Sequence, residues 1–143
     1  MIKATELMIG DWVADQLQIG DYVLVSGTPR RVEFITKKKI GYHINPQTDK
    51  RLYYARLHDV GPIKVTHALL EKVFEQGKDP NYFEKQVFVH DITLSLRREL
   101  VCFIKVEDAL FGDQVYMDCW VNDKLHLVQN ALRALEIEIE WKL

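Results

Sequence analysis

Phe88-Val89-His90-Asp91-Ile92-Thr93-Leu94-Ser95-Leu96-Arg97 alternates with a period of two. Successive side chains of an extended chain point to opposite faces. Phe88, His90, Ile92, Leu94 and Leu96 therefore share one face of a strand, and Val87, Asp91, Thr93, Ser95 and Arg97 the other. Leu100, Cys102, Ile104 and Val106 continue the alternation in a partner strand, across a weakly signalled turn at Arg97-Arg98-Glu99. After a clearer turn at Phe111-Gly112-Asp113, a third strand is expected with Val115, Met117, Cys119 and Val121 on one face. The centre of the chain reads as a β-meander.

Working outward to the C-terminus, Asp123 is placed to cap a helix. Leu125, Val128, Leu132 and Leu135 recur at helical spacing, so they form its apolar stripe. The tail from Glu136 to Leu143 alternates again, which predicts a final strand with Ile137, Ile139, Trp141 and Leu143 facing the core. Working outward to the N-terminus, Gly61-Pro62 marks a boundary, because the residue before proline is pushed away from helical backbone. Thr66 is the expected N-cap of a short helix, His67 to Phe74, ended by Gly77-Lys78-Asp79-Pro80-Asn81.

The first third is different in kind. Leu7-Met8-Ile9-Gly10-Asp11-Trp12-Val13 is echoed ten residues later by Leu17-Gln18-Ile19-Gly20-Asp21-Tyr22-Val23. Gly-Asp before an aromatic and Val reads as a tight turn feeding a strand. Strands are expected over 21–26, 31–36, 39–44 and 52–57, with turns at Gly27-Thr28-Pro29-Arg30 and Asn45-Pro46-Gln47-Thr48-Asp49-Lys50. Short strands at regular spacing, with Gly/Pro turn chemistry between them, argue for a small barrel or a strongly bent meander, and the Gly-Asp-aromatic-Val opening is frequent in SH3-like barrels. The fold class expected is α+β: an SH3-like β-barrel unit over residues 1–60, then an antiparallel sheet packed with one or two helices over 61–143. No Gly/Ser/Pro-rich linker separates the two, so they are expected to pack as one body.

The 143 residues, 48% hydrophobic and 28% charged, suit an ordinary globular domain, able to bury about 70% of its extended surface without disulfide or metal. Cys102 and Cys119 both sit in apolar surroundings and read as reduced core residues, with a cross-strand disulfide as the alternative. Net charge is −2, without the basic excess of a dedicated duplex-DNA binder. Neither a signal-peptide-like start nor a run of about 20 apolar residues is present, so a cytoplasmic protein without membrane contact is expected.

Three short blocks carry a resemblance. Ala4-Thr5-Glu6-Leu7-Met8-Ile9-Gly10-Asp11-Trp12-Val13, Pro62-Ile63-Lys64-Val65-Thr66, and His126-Leu127-Val128-Gln129-Asn130 followed by Ala134-Leu135 together resemble an uncharacterised family of small bacterial and phage-encoded proteins. That family opens on an I-G-[DN]-[WY]-V strand, starts a helix with P-I-x-L-T and ends on H-x-L-Q-N and A-L. The present chain departs from it in carrying the second Ile19-Gly20-Asp21-Tyr22-Val23 copy and Val128 where the motif has Leu. The resemblance implies no activity.

Chemistry-bearing patterns are sparse. His43, His58, His67, His90 and His126 show no H-x-x-x-H or H-E-x-x-H spacing, and neither cysteine has a C-x-x-C partner. No P-loop, G-x-G-x-x-G or G-x-S-x-G is present. His90 falls on the apolar strand face and reads as a core histidine. It cannot pair with Asp91, which points the other way. No cofactor, metal or catalytic residue is assigned. Arg30, Arg31, Lys37, Lys38 and Lys39, with Tyr42 and the nearby Tyr53 and Tyr54, form a basic rim with aromatics. Such a rim holds single-stranded nucleic acid by stacking and phosphate contact, or serves only to keep strand ends soluble and unpaired. His126, Gln129, Asn130 and Arg133 form a polar helix face, either bonded to the fold or turned to a partner. The function expected is that of a non-enzymatic interaction or accessory protein with a protein partner or a second copy of itself; the alternative is a single-stranded nucleic-acid-binding module.

Overall fold

The computed structural model describes residues 17–108, 114–115 and 119–143. The Ile9-Gly10-Asp11-Trp12-Val13 copy, the Phe111-Gly112-Asp113 turn and Met117 lie outside the described residues. The chain divides into two compact units, Met1–Ile63 and Lys64–Leu143. Among the described residues, antiparallel sheets with two α-helices make it an α+β protein.

In the first unit, Gly20 takes a φ of +95°, and the Gln18 N–H donates to the Asp21 carboxylate at 2.8 Å. This turn feeds β1 (Tyr22–Val25). A two-residue loop, Ser26-Gly27, with φ of +50° and +81°, leads into β2 (Thr28–Arg31). The expected turn at Gly27-Thr28-Pro29-Arg30 is therefore corrected. Ser26-Gly27 suffices, because positive φ at both loop positions matches the twist of the flanking strands. Pro29 is accommodated because β2 is an edge strand.

The single strand expected over 31–36 is also corrected. The Val32 N–H donates to the Asp21 carbonyl (2.8 Å), whereas the Glu33 N–H donates to the Gly41 carbonyl (2.9 Å). The chain thus leaves one sheet and joins another at this point. One sheet has the order β2-β1-β6, with β6 at Val60–Gly61; the other has the order β3-β4-β5, with β3 at Phe34–Ile35, β4 at Lys39–Tyr42 and β5 at Tyr53–Arg56. The described strands form these two three-stranded sheets and no closed barrel. Leu17, Val23, Val25, Val32, Ile40, Leu57 and Val60 make a common core from both sheets. Each contributes about 1.5–3 kcal/mol on burial.

In the second unit, the Thr66 hydroxyl accepts from the Leu69 N–H at 3.1 Å and caps α1 (His67–Val73), as its sequence predicts. The sheet then runs β7 (Glu75–Gln76), β8 (Tyr82–Val87), β9 (His90–Arg97) and β10 (Leu100–Asp108) in hairpin order. β11 (Gln114–Val115) and β12 (Cys119–Asn122) both pair with β10. β8 has no counterpart in the sequence reading, and β9 starts at His90 rather than Phe88. Phe88 and Val89 instead form the two-residue loop between β8 and β9, with Phe88 at φ +53° and 92% exposed. His90 is only partly buried at the strand's first position, opposite Asp108.

The expected face Leu100, Cys102, Ile104, Val106 is broken by a bulge between Phe103 and Lys105. An extra residue reverses the parity of a strand beyond it. Val101, Phe103 and Val106 are consequently buried with Ile92, Leu94 and Phe83, while Leu100 is exposed. Cys102 is buried opposite Trp120, and Phe103 lies opposite Cys119.

α1 packs on β7 and β8, with His67 edge-on to Phe83 at 5.4 Å. α2 (Leu125–Arg133) packs on β12; Leu125, Val128 and Leu132 of its expected apolar stripe are buried, while Leu135 lies past the helix end and is only partly buried. Its N-cap is Lys124, not Asp123. Asp123 is drawn away by ion pairs to Lys64 (3.7 Å) and Lys124 (3.8 Å), and its carbonyl accepts from the Val65 N–H. The helix ends with Glu136 at φ +61°, the Ile137 N–H donating to the Leu132 carbonyl and the Glu136 N–H to that of Arg133. This closure satisfies carbonyls that the helix leaves open.

The C-terminal strand is the last correction. Ile137, Ile139 and Trp141 are buried and Glu138 and Glu140 exposed, but residues 137–143 belong to no described sheet, and Leu143 is exposed. The alternation comes from an extended segment lying with one side on the core, where Trp141 meets Phe74 at 6.0 Å. Period two reports extended backbone, not pairing.

Candidate functional site

β3, β4 and β5 expose one face of their sheet. The registers Phe34↔Gly41↔Tyr54 and Lys39↔Arg56 put these five residues on that face. The opposite face carries Ile35, Ile40 and Ala55 toward the core. Phe34 is 43% and Tyr54 51% exposed, yet Gly41 between them is buried. The Phe34 Cβ and the Tyr54 ring lie against it, and the two rings stand edge to face at 6.3 Å and 82°. A Cβ on Gly41 would stand 3.0 Å from the Phe34 Cβ and 3.4 Å from the Tyr54 ring. A side chain at position 41 would push these neighbours back by a few tenths of an ångström.

The basic loop is built by Thr36. Its hydroxyl accepts from the N–H groups of Lys38 and Lys39 (3.3 and 3.1 Å), and the Thr36 N–H donates to the Lys39 carbonyl (2.9 Å). Lys37, Lys38 and Lys39 are all exposed around this turn. The Lys39 ammonium lies 4.4 Å from the Tyr54 ring centroid. A cation in that position is attracted by the ring face by about 0.5–1 kcal/mol when exposed.

The other residues of the expected rim are placed differently. Tyr42 lies on the core-facing side, half-buried, stacked on Tyr53 at 6.1 Å. Arg30 sits over Tyr42 (5.6 Å) and Arg51 over Tyr53 (6.0 Å). Each of these two rings carries a cation, as Tyr54 does, but both lie on the core-facing side of the sheet. Arg31 pairs with Glu33 at 3.3 Å. Phe34, Gly41 and Arg56, which complete the exposed face, were not singled out in the sequence. The signal that finds them is parity: Phe34 and Tyr54 fall on the same side as Gly41 once the hairpin registers are drawn.

Charge is also unevenly divided. Residues 1–63 hold nine Lys/Arg and seven Asp/Glu, whereas residues 64–143 hold ten and fourteen. The overall −2 is thus the sum of a first unit at net +2 and a second at net −4.

The polar helix face of the second unit is turned inward. His126 and Gln129 are buried, and Asn130 and Arg133 partly so. Arg133 donates to the side-chain Oδ1 of Asn130 and to the Glu138 carboxylate, both at 3.0 Å, and the second bond ties the helix to the tail. Burial, and then the Lys124 charge, push the His126 pKa down to about 4, so its ring is neutral at pH 7. A groove of about 550 Å3 lies on the large sheet, lined by Glu75, Glu84, Asp91 and Glu107 with Lys85 and Lys105. Lys85 donates to the Val73 carbonyl, and Lys105 pairs with Glu107 at 2.7 Å. Among the described residues no group of three or more His, Cys, Asp and Glu could hold a metal ion, and no helix is long and apolar enough to cross a membrane.

No protein-family model matches the chain, and neither a curated protein nor a solved structure does.

Proposed function

We propose that this is a non-enzymatic binding protein whose first unit, an SH3-like β unit, holds single-stranded nucleic acid on the outer face of β3-β4-β5. The observation that carries this reading is the pair of exposed rings, Phe34 and Tyr54, laid over Gly41 with Lys39 and Arg56 beside them. Aromatic faces stack on bases, and the adjacent cations neutralise phosphates. The net +2 of residues 1–63, against −4 for residues 64–143, supports the same reading, because phosphate neutralisation supplies most of a nucleic-acid binder's affinity. In this reading the protein works in the cytoplasm, and the resemblance of its three short blocks implies a bacterial or phage origin.

The test is fluorescence anisotropy with a labelled single-stranded oligonucleotide across a salt series. Affinity is expected to fall steeply with salt and to weaken in Lys37→Ala/Lys38→Ala/Lys39→Ala. Absent or salt-insensitive binding counts against the reading.

A second reading, docking to a protein partner or a second copy, is favoured by one observation: Phe88 is 92% exposed at the tip of the β8–β9 hairpin. An exposed aromatic of this kind suits burial in a partner's pocket. This surface belongs to the other unit, so the two readings are tested by different substitutions.

A further inference from the structure

The 82° angle between the Phe34 and Tyr54 rings limits what can stack on them. Bases in a duplex, or in a self-stacked strand, lie parallel to one another, and their faces are covered by their neighbours. Two bases that each lie flat on one of these rings are turned roughly at right angles to each other. They must be neither paired nor stacked together. The rings are only 6.3 Å apart between centroids, so the two bases belong to neighbouring positions on one strand.

From this, and resting on the nucleic-acid reading above, we propose that the site selects weakly self-stacking single strands. Two adjacent, splayed bases are held on Phe34 and Tyr54, with Lys39 and Arg56 taking the phosphates. Lys39 and Arg56 are cross-strand neighbours on the same face, one two-residue step from the aromatic row. In the free protein the Lys39 ammonium rests on the Tyr54 ring, and it exchanges that contact for a phosphate when a base arrives. Unstacking a strand costs least where the bases are pyrimidines, so pyrimidine runs are preferred over adenine runs without any base-edge recognition.

The experiment compares oligo(dT), oligo(dA) and the oligo(dT)·oligo(dA) duplex of equal length on the full chain. Oligo(dT) is expected to bind several-fold tighter than oligo(dA), and the duplex weakest. Tyr54→Leu and Phe34→Leu keep an apolar cover over Gly41 but remove the π-face. Each, with folding verified by a thermal melt, is expected to lower oligo(dT) affinity by about ten-fold and to erase the preference. Lys39→Ala is expected to reduce the slope of log affinity against log salt by about 0.7. Equal or tighter binding of oligo(dA) overturns the inference and leaves the single-strand reading standing; equal or tighter binding of the duplex, or unchanged affinity in both leucine variants, overturns the stacking site on which both rest. Failure of every oligonucleotide to bind overturns both.

Discussion

Gly41 and Phe34 face each other across β3 and β4 so closely that a methyl group on the glycine would stand 3.0 Å from the Phe34 Cβ. Neither atom is the end of a flexible side chain, so no rotamer change relieves the contact. Gly41→Ala is expected to destabilise the first unit by about 1–3 kcal/mol, as overpacking does elsewhere. Urea unfolding of the variant checks this, and the same substitution should weaken oligonucleotide binding by tilting the Phe34 ring away.

Acid sensitivity is expected from His126. Its pKa is about 4 in the folded chain and about 6.5 when unfolded, so between those values the unfolded state binds more protons. The neutral ring's contribution is fully present above about pH 6.5 and is lost as the pH falls toward 4. The loss is on the order of 3 kcal/mol across that window. Unfolding free energy measured from pH 7 to pH 4 should fall less steeply in His126→Gln than in the parent chain.

Thr66→Ala removes the one side-chain bond at the start of α1, between the Thr66 hydroxyl and the Leu69 N–H. A cost of about 1 kcal/mol is expected. Because the cap lies in the second unit, the oligonucleotide affinity of a folded sample should not change.

Phe88 holds a positive φ with its ring almost wholly in water. Bulky residues pay about 1–3 kcal/mol in this backbone region, and glycine does not. Phe88→Gly is expected to raise the thermal unfolding midpoint, by an amount equivalent to about 0.5–1 kcal/mol after the glycine's own entropy cost. If the ring serves a protein partner or a second copy, the same change lowers association while stability rises. Sedimentation velocity of both chains reads this directly.

The elements that were legible in the sequence are those in which local chemistry and burial agree. Thr66 caps where a cap was expected, and Leu125, Val128 and Leu132 are buried as their spacing requires. Ile92, Leu94 and Leu96 keep the parity of their alternation. What was not legible depends on residues that break local rules. Phe88-Val89 and Arg98-Glu99 make two-residue hairpin loops without glycine or asparagine, so neither β8 nor the second turn announces itself. The bulge after Phe103 shifts parity with no local signature, and the tail alternates without pairing. At the site, the lysine loop was visible as composition. The platform was not, because assigning Phe34, Gly41 and Tyr54 to one face needs the registers of two hairpins.

The central claim is that the outer face of β3-β4-β5 is where the ligand lies. An amide NMR titration of the full chain with oligo(dT) tests it most directly. The expected result is that shifts concentrate at Phe34, Lys39, Gly41, Tyr54 and Arg56 and leave the Glu75, Glu84, Asp91 and Glu107 groove still. A spectrum that does not move, or that moves at the groove or at Phe88 and not at Gly41, contradicts it.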